Sequence, residues 1–156
     1  MQRAGQARLH GLGLVVAIEK YLDTYRQTQP GLTVIFHHDG DISCVSRPVA
    51  LFCYRMVQEG LTNIARHAQA HTVTIGLHVL PSKLTLSVRD DGIGFSADRA
   101  ERARLDNHLG LVSMRERTDV LNGTFAIDSH PGKGTTLTIS LPLYLSEEEE
   151  HEHSLG

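Results

Sequence analysis

Glu59 and Asn63 stand four residues apart in VQEGLTNIARHAQA, residues 57–70. On a helix, at about 3.6 residues per turn, they share a face. Arg66 and His67 carry that side one turn further. One helix edge then offers a carboxylate, an amide oxygen, a guanidinium and an imidazole. A carboxylate can orient or deprotonate a nucleophile, and an amide oxygen can ligate a hard divalent cation. Arg and His can hold phosphate oxygens. By pattern alone, the same residues also suit the solvated side of an amphipathic helix.

Three glycine segments follow. In Asp90-Asp91-Gly92-Ile93-Gly94, two glycines one residue apart let a ligand approach the backbone closely, and Asp90 can accept a hydrogen bond from an exocyclic amine. The segment lacks the Lys-Ser/Thr ending of a phosphate-binding P-loop. It also lacks the third glycine and following helix of a dinucleotide fingerprint. A tight turn would need the same residues. His108-Leu109-Gly110-Leu111 enters a helix whose free N–H groups could face an anion, and Ser113 could add a hydroxyl. Gly132-Lys133-Gly134-Thr135 suits a hairpin turn, a role compatible with binding.

The elements that must position these residues can be read from periodicity. Leu12, Val15, Val16, Ile18 and Leu22 mark a helix over 9–27, ended by Gln29-Pro30-Gly31. LTVIFH, 32–37, reads as a strand and 38–41 as a turn. Leu51, Phe52, Met56, Val57, Leu61, Ile64 and Ala65 predict one long helix over 49–68. TVTIGLHV (72–79) and LTLSVR (84–89) predict a hairpin turning at Pro81-Ser82-Lys83. A helix over 111–121 ends at Asn122-Gly123, followed by strands over 124–128 and 135–141. This order predicts a two-layer α/β (α+β) sandwich, its mixed, mainly antiparallel sheet covered by helices on one face.

At 156 residues and 40% hydrophobic content, the chain can bury a core without disulfides. Cys44 and Cys53 have no paired spacing, which excludes a disulfide framework or CxxC site and suits a reducing compartment. No apolar run reaches the roughly 18 residues of a membrane span, and the start has no signal-peptide layout. Eight Phe and Tyr, no Trp and no basic patch argue against direct nucleic-acid binding. The net charge of −3 comes from the tail SEEEEHEHSLG, whose five Glu leave the remainder at +2 when set aside. Residues 146–156 are expected to be an acidic disordered tail.

The order of these segments resembles the ATP-binding catalytic domain of sensor histidine kinases, within the superfamily of gyrase, heat-shock chaperone and mismatch-repair ATPases. ExxxN resembles the asparagine box of that family, RDDGIGF its first glycine box, HLGLVSMRER its second and GKGTT its third. The resemblance covers about 47–142 and, more weakly, 9–37. RHA and SMRER are most similar to the nitrate-sensor-like subfamily, and LHGLGL, 9–14, to the junction after the dimerisation helices.

The resemblance implies the histidine-kinase (Bergerat) fold, with ATP and Mg²⁺ as cofactors. Asp90 would bind the adenine amine, helped by Thr135, with Gly92, Gly94 and Gly134 lining the approach. Asn63 would be the metal ligand, and Glu59 the catalytic carboxylate that activates or orients the attacking imidazole. Arg66, where the family often has Lys, and His67 would lie near the phosphates. Gly110 and Leu111 would begin the helix facing the phosphate tail, beyond a lid over about 96–108. The organisation implied is a linker helix over 1–30, an ATP-binding domain over 31–145 and the tail.

The phosphoacceptor His would sit on an upstream dimerisation domain absent from this chain, so this piece alone is not expected to autophosphorylate. His37-His38-Asp39 falls at a strand end and is a poor acceptor candidate. The further partner implied is a response regulator with a helix-turn-helix output, in the cytoplasm. The fragment is expected to be a monomer and the full-length parent, membrane-anchored or not, a homodimer. Alternatives of the same fold are a stand-alone Ser kinase resembling anti-sigma factors and a nucleotide-binding regulatory module.

Overall fold

The computed structural model describes residues 11–94 and 110–143. The lid expected at 96–108 and the acidic tail lie outside them. Helix α1 (Gly11–Thr28) leads into strand β1 (Thr33–Gly40) and helix α2 (Arg47–Asn63). Strands β2 (Thr72–Val79) and β3 (Lys83–Asp90) follow. Helix α3 (Leu111–Val120) precedes β4 (Thr124–Ser129) and β5 (Thr135–Pro142).

The five strands form one sheet in the order β1-β2-β3-β5-β4. Only β1 and β2 run parallel; the other neighbours are antiparallel. This is the mixed, mainly antiparallel sheet the element order predicts. Strand periodicity of two decides which face is dry. Val73, Ile75, Leu77 and Val79 of β2, Leu84, Leu86 and Val88 of β3, and Leu137, Ile139 and Leu141 of β5 are buried together. The helices pack onto that face. Leu14, Ile18, Leu22 and Tyr25 of α1 recur at helical spacing and are buried, as are Phe52, Cys53, Met56, Val57 and Leu61 of α2. Helix α1 is therefore part of the core. Gly60 brings α2 close to β3, because a Cβ there would lie 3.4 Å from Val88.

Two elements differ from expectation. The turn expected at 38–41 begins later, since β1 runs on to Gly40, with His38 opposite Leu77 and Asp39 opposite His78. The parallel ladder extends the strand past its apolar run, and Asp39 meets the His78 Nδ1 at 3.0 Å. The long helix expected over 49–68 is α-helical only to Asn63, and Ile64–Ala68 winds as a wider π-helical turn. Gln69 closes it in the left-handed region, at φ +50°. Pro48 costs α2 nothing, because N–H groups in a first turn have no helical partner.

Candidate functional site

Asp90 ends β3 on the same parity as Leu84, Leu86 and Val88, so the alternation that buries those side chains carries its carboxylate inward. It is 5% exposed. Its Oδ1 accepts the Gly92 N–H at 2.8 Å, and the Thr135 N–H also supports the carboxylate. Burial nonetheless pushes its pKa above the ordinary carboxylate value, with the neighbouring Asp91 charge adding to the rise. Asp91 has the opposite setting. It is exposed, and its Oδ1 accepts the N–H groups of His71 at 2.8 Å and Thr72 at 2.9 Å. These bonds hold its pKa below the usual range. Of two adjacent carboxylates, Asp91 ties the start of β2 to the end of β3 and Asp90 is buried against the Gly92 N–H.

The first and third glycine segments form one structure. Asp90 lies opposite Thr135 across the β3–β5 pair. The Gly132 N–H donates to the Ile93 carbonyl at 2.6 Å. Gly94 and Gly134 both have positive φ, +63° and +78°. A Cβ on Gly94 would strike the His130 carbonyl, and one on Gly134 would strike the carbonyl of Asp90. The Thr135 hydroxyl shares a 2.8 Å hydrogen bond with that of Ser129. Gly134→Ala should therefore destabilise the fold by roughly 2–4 kcal/mol, combining left-handed strain of about 1–2 kcal/mol with a backbone collision. Urea unfolding measures it. A loss below about 1 kcal/mol would mean that this turn relaxes freely and does not hold Asp90.

The second cluster lies where α2 faces the start of α3. Glu59 is exposed, and a Cβ placed on Gly110 would lie 3.4 Å from its Oε2. Gly110, at φ +63°, caps α3, and the first bond of that helix runs from the Met114 N–H to the Gly110 carbonyl at 3.0 Å. The N–H groups of the preceding turn have no partner within the helix, which makes them suitable for an anion. Leu111 and Met114 anchor that turn in the core, and Arg115 stacks its guanidinium 5.2 Å from the Phe125 ring centroid on β4. Asn63 is half-buried at the last α-helical position, one turn beyond Glu59. Arg66 is exposed on the π turn and lines a cavity of about 250 Å³ with Gln29, Leu32, Ile64 and Gln69. His67 lies in the same turn, its side chain outside the described residues.

Sequence reasoning missed two contributors on α1. Tyr25 donates a buried 2.9 Å hydrogen bond to the Leu61 carbonyl, and the Tyr21 ring meets that of Tyr54 on α2. Burial raises the phenol pKa values of Tyr21 and Tyr25, that of Tyr25 to about 12. Their spacing of four within the apolar stripe of α1 was the available signal.

The family model described as "Histidine kinase-, DNA gyrase B-, and HSP90-like ATPase" matches residues 48–145. The chain is 34% identical over 139 residues to the signal transduction histidine-protein kinase/phosphatase DegS of Brevibacillus brevis, covering 89% of this chain and 35% of that protein. It is 34% identical over 144 residues to the sensor histidine kinase LiaS of Bacillus subtilis, covering 92% and 38%. The oxygen sensor histidine kinase NreB of Staphylococcus carnosus is 30% identical, with 86% and 38% covered. The chain thus spans little more than a third of these relatives. Among solved structures, the histidine kinase domain of the Erythrobacter litoralis blue-light activated histidine kinase shares the fold at a TM-score of 0.65 and 22% identity, over 85% of this chain and 60% of that one. Acinetobacter baumannii histidine kinase AdeS does so at 0.66 and 19%, over 83% and 64%.

Proposed function

The chain belongs to the histidine kinase-, DNA gyrase B- and HSP90-like ATPase family, and from that premise we propose that it is the ATP-binding catalytic domain of a sensor histidine kinase. The observation that carries this is the buried carboxylate of Asp90, held by the Gly92 N–H with support from that of Thr135, beside two turns that Gly94 and Gly134 let close on each other. Such a group is costly to bury and suits an exocyclic amine such as that of adenine.

Glu59 and Asn63 then face the phosphate end. Among the described residues, no three His, Cys, Asp or Glu side chains cluster as a metal cage. The donor set fits Mg²⁺ bound through one protein oxygen, that of Asn63, together with phosphate oxygens of the nucleotide. When bound, the ion neutralises phosphate charge. The N-terminal turn of α3, from Gly110 and Leu111, would receive the phosphate tail, and Arg66 and His67 would add positive charge near it. Glu59 would hold the N–H of an incoming imidazole, so that its other nitrogen points at the γ-phosphorus. There the N–P bond forms, the bond from phosphorus to the bridging oxygen breaks, ADP leaves, and the imidazole proton passes to the carboxylate or to water. This work is positioning and charge neutralisation, as phosphoryl transfer requires.

The acceptor His would be supplied by a dimerisation domain, and the phosphoryl group would pass on to an Asp of a response regulator with a helix-turn-helix output. The domain would work in the cytoplasm; no described helix is long and apolar enough to cross a membrane. Calorimetry with a non-hydrolysable ATP analogue tests the proposal. Micromolar binding, about 8 kcal/mol, that tightens with Mg²⁺ is expected. Absence of binding by folded protein would sink it.

A further inference from the structure

The turn of α2 between Glu59 and Asn63 is held from outside by α1. Tyr21 and Tyr25 stack on that helix with ring centroids 6.3 Å apart, and Tyr54 of α2 meets Tyr21 edge-on at 6.1 Å. From this cluster the Tyr54 ring is one contact with α2, and the Tyr25 hydroxyl, bonded to the Leu61 carbonyl, is the second. The second contact falls where the helix changes its winding. The Ile64 N–H is shared between the Gly60 and Leu61 carbonyls, and the chain then widens into the π turn. Single π turns are rare within helices and recur at functional sites and where something interrupts the regular ladder. The Tyr25 hydroxyl is such an interruption. Tyr25 is 7% exposed, and its bond to the Leu61 carbonyl is buried.

We propose that Tyr25 is a positioning residue for the metal and phosphate end of the site. Its hydroxyl pins the α-to-π junction at Leu61 and thereby sets the orientation of Asn63 and the path of Ile64–Ala68. The position of α1 is in this way transmitted to the site by a single hydrogen bond. The proposal rests on the nucleotide assignment above, and its test separates the two.

Tyr25→Phe keeps the ring and removes only the hydroxyl, and Tyr54→Phe makes the same change elsewhere in the cluster. Amide hydrogen exchange of the nucleotide-free chain is followed by mass spectrometry. The Tyr25 variant should accelerate exchange across Leu61–Gln69 by roughly five- to tenfold, the worth of one buried hydrogen bond, beyond any change in Val73–Val79. Tyr54→Phe should not. Calorimetry with the ATP analogue should then show a loss of similar factor in the gain in affinity brought by Mg²⁺, with metal-free binding unchanged. Unaltered exchange at Leu61–Gln69, or uniform acceleration over the whole fold, would overturn the anchor. A local exchange response with the Mg²⁺ gain intact would overturn its link to Asn63. If the exchange response is present but the wild type binds no nucleotide, the nucleotide assignment falls and the anchor stands.

Discussion

Asp90→Asn is expected to lower affinity for an ATP analogue about a hundredfold while leaving the fold at least as stable as the wild type. A hydrogen bond to a charged acceptor contributes roughly 1.5–3 kcal/mol, and an amide can also turn its NH₂ toward the ligand amine, donor against donor. The stability half follows from the sign of the pKa shift. The folded-state value of Asp90 is raised, chiefly by burial, so ionisation opposes folding. Its contribution to stability falls as pH rises from the unfolded carboxylate value through the raised folded one, and stays unfavourable above that. A neutral Asn carries no such penalty. At about pH 7.5 the variant should therefore melt no lower than the wild type, and any advantage should shrink as the medium is acidified below the raised pKa. Wild-type nucleotide binding should weaken over the same acidic range, because a protonated carboxyl is the poorer acceptor. Thermal melts and calorimetry on both proteins check this. A variant that binds as well as the wild type would remove adenine from Asp90. One that melts well below it would mean that the bonds from Gly92 and Thr135 outweigh the cost of burial.

Glu59→Gln should do the reverse, sparing binding and stopping transfer. Asp90 is buried, whereas Glu59 is exposed where α2 faces Gly110. Its proposed task begins only when an imidazole arrives. Removing a positioned acid or base typically costs about 10²–10⁴ in rate. Phosphorylation of an added dimerisation domain should fall by that factor, with analogue affinity changed less than about threefold, under 0.7 kcal/mol. Equal losses in both would make Glu59 a nucleotide ligand, and no loss in either would make it a surface residue.

Much of this site could be read from local pattern. The inward alternation of Leu84, Leu86 and Val88 carries Asp90 with it, and the spacing of Glu59 and Asn63 puts them on one side of a helix the sequence predicts well. Gly94 and Gly134 were visible as glycines, but their mutual dependence was not. Each makes room for a carbonyl from the other's segment, about 40 residues away along the chain, and no local preference encodes that pairing. The π turn was hidden for the same reason. IARHA contains good helix formers, and what stands at its entry is a hydroxyl from α1. The length of β1 is likewise set by its ladder with β2 and not by its own residues. Asp91 was read only as part of a turn, because its partners, the N–H groups of His71 and Thr72, lie across the sheet.

The packing of α1 separates the stretch that the family model matches from the unit that can be excised. The family match begins at residue 48, yet Leu14, Ile18, Leu22 and Tyr25 are buried in the one core. At roughly 1.5–3 kcal/mol for each buried side chain, those four contribute about as much as a whole domain's net stability of about 5–15 kcal/mol. A gene fusion or recombination breakpoint placed at residue 48 would strip a wall from the core and expose β2 as a new sheet edge. Viable shuffling of this module must cut before α1, so that helix travels with the domain it helps to fold.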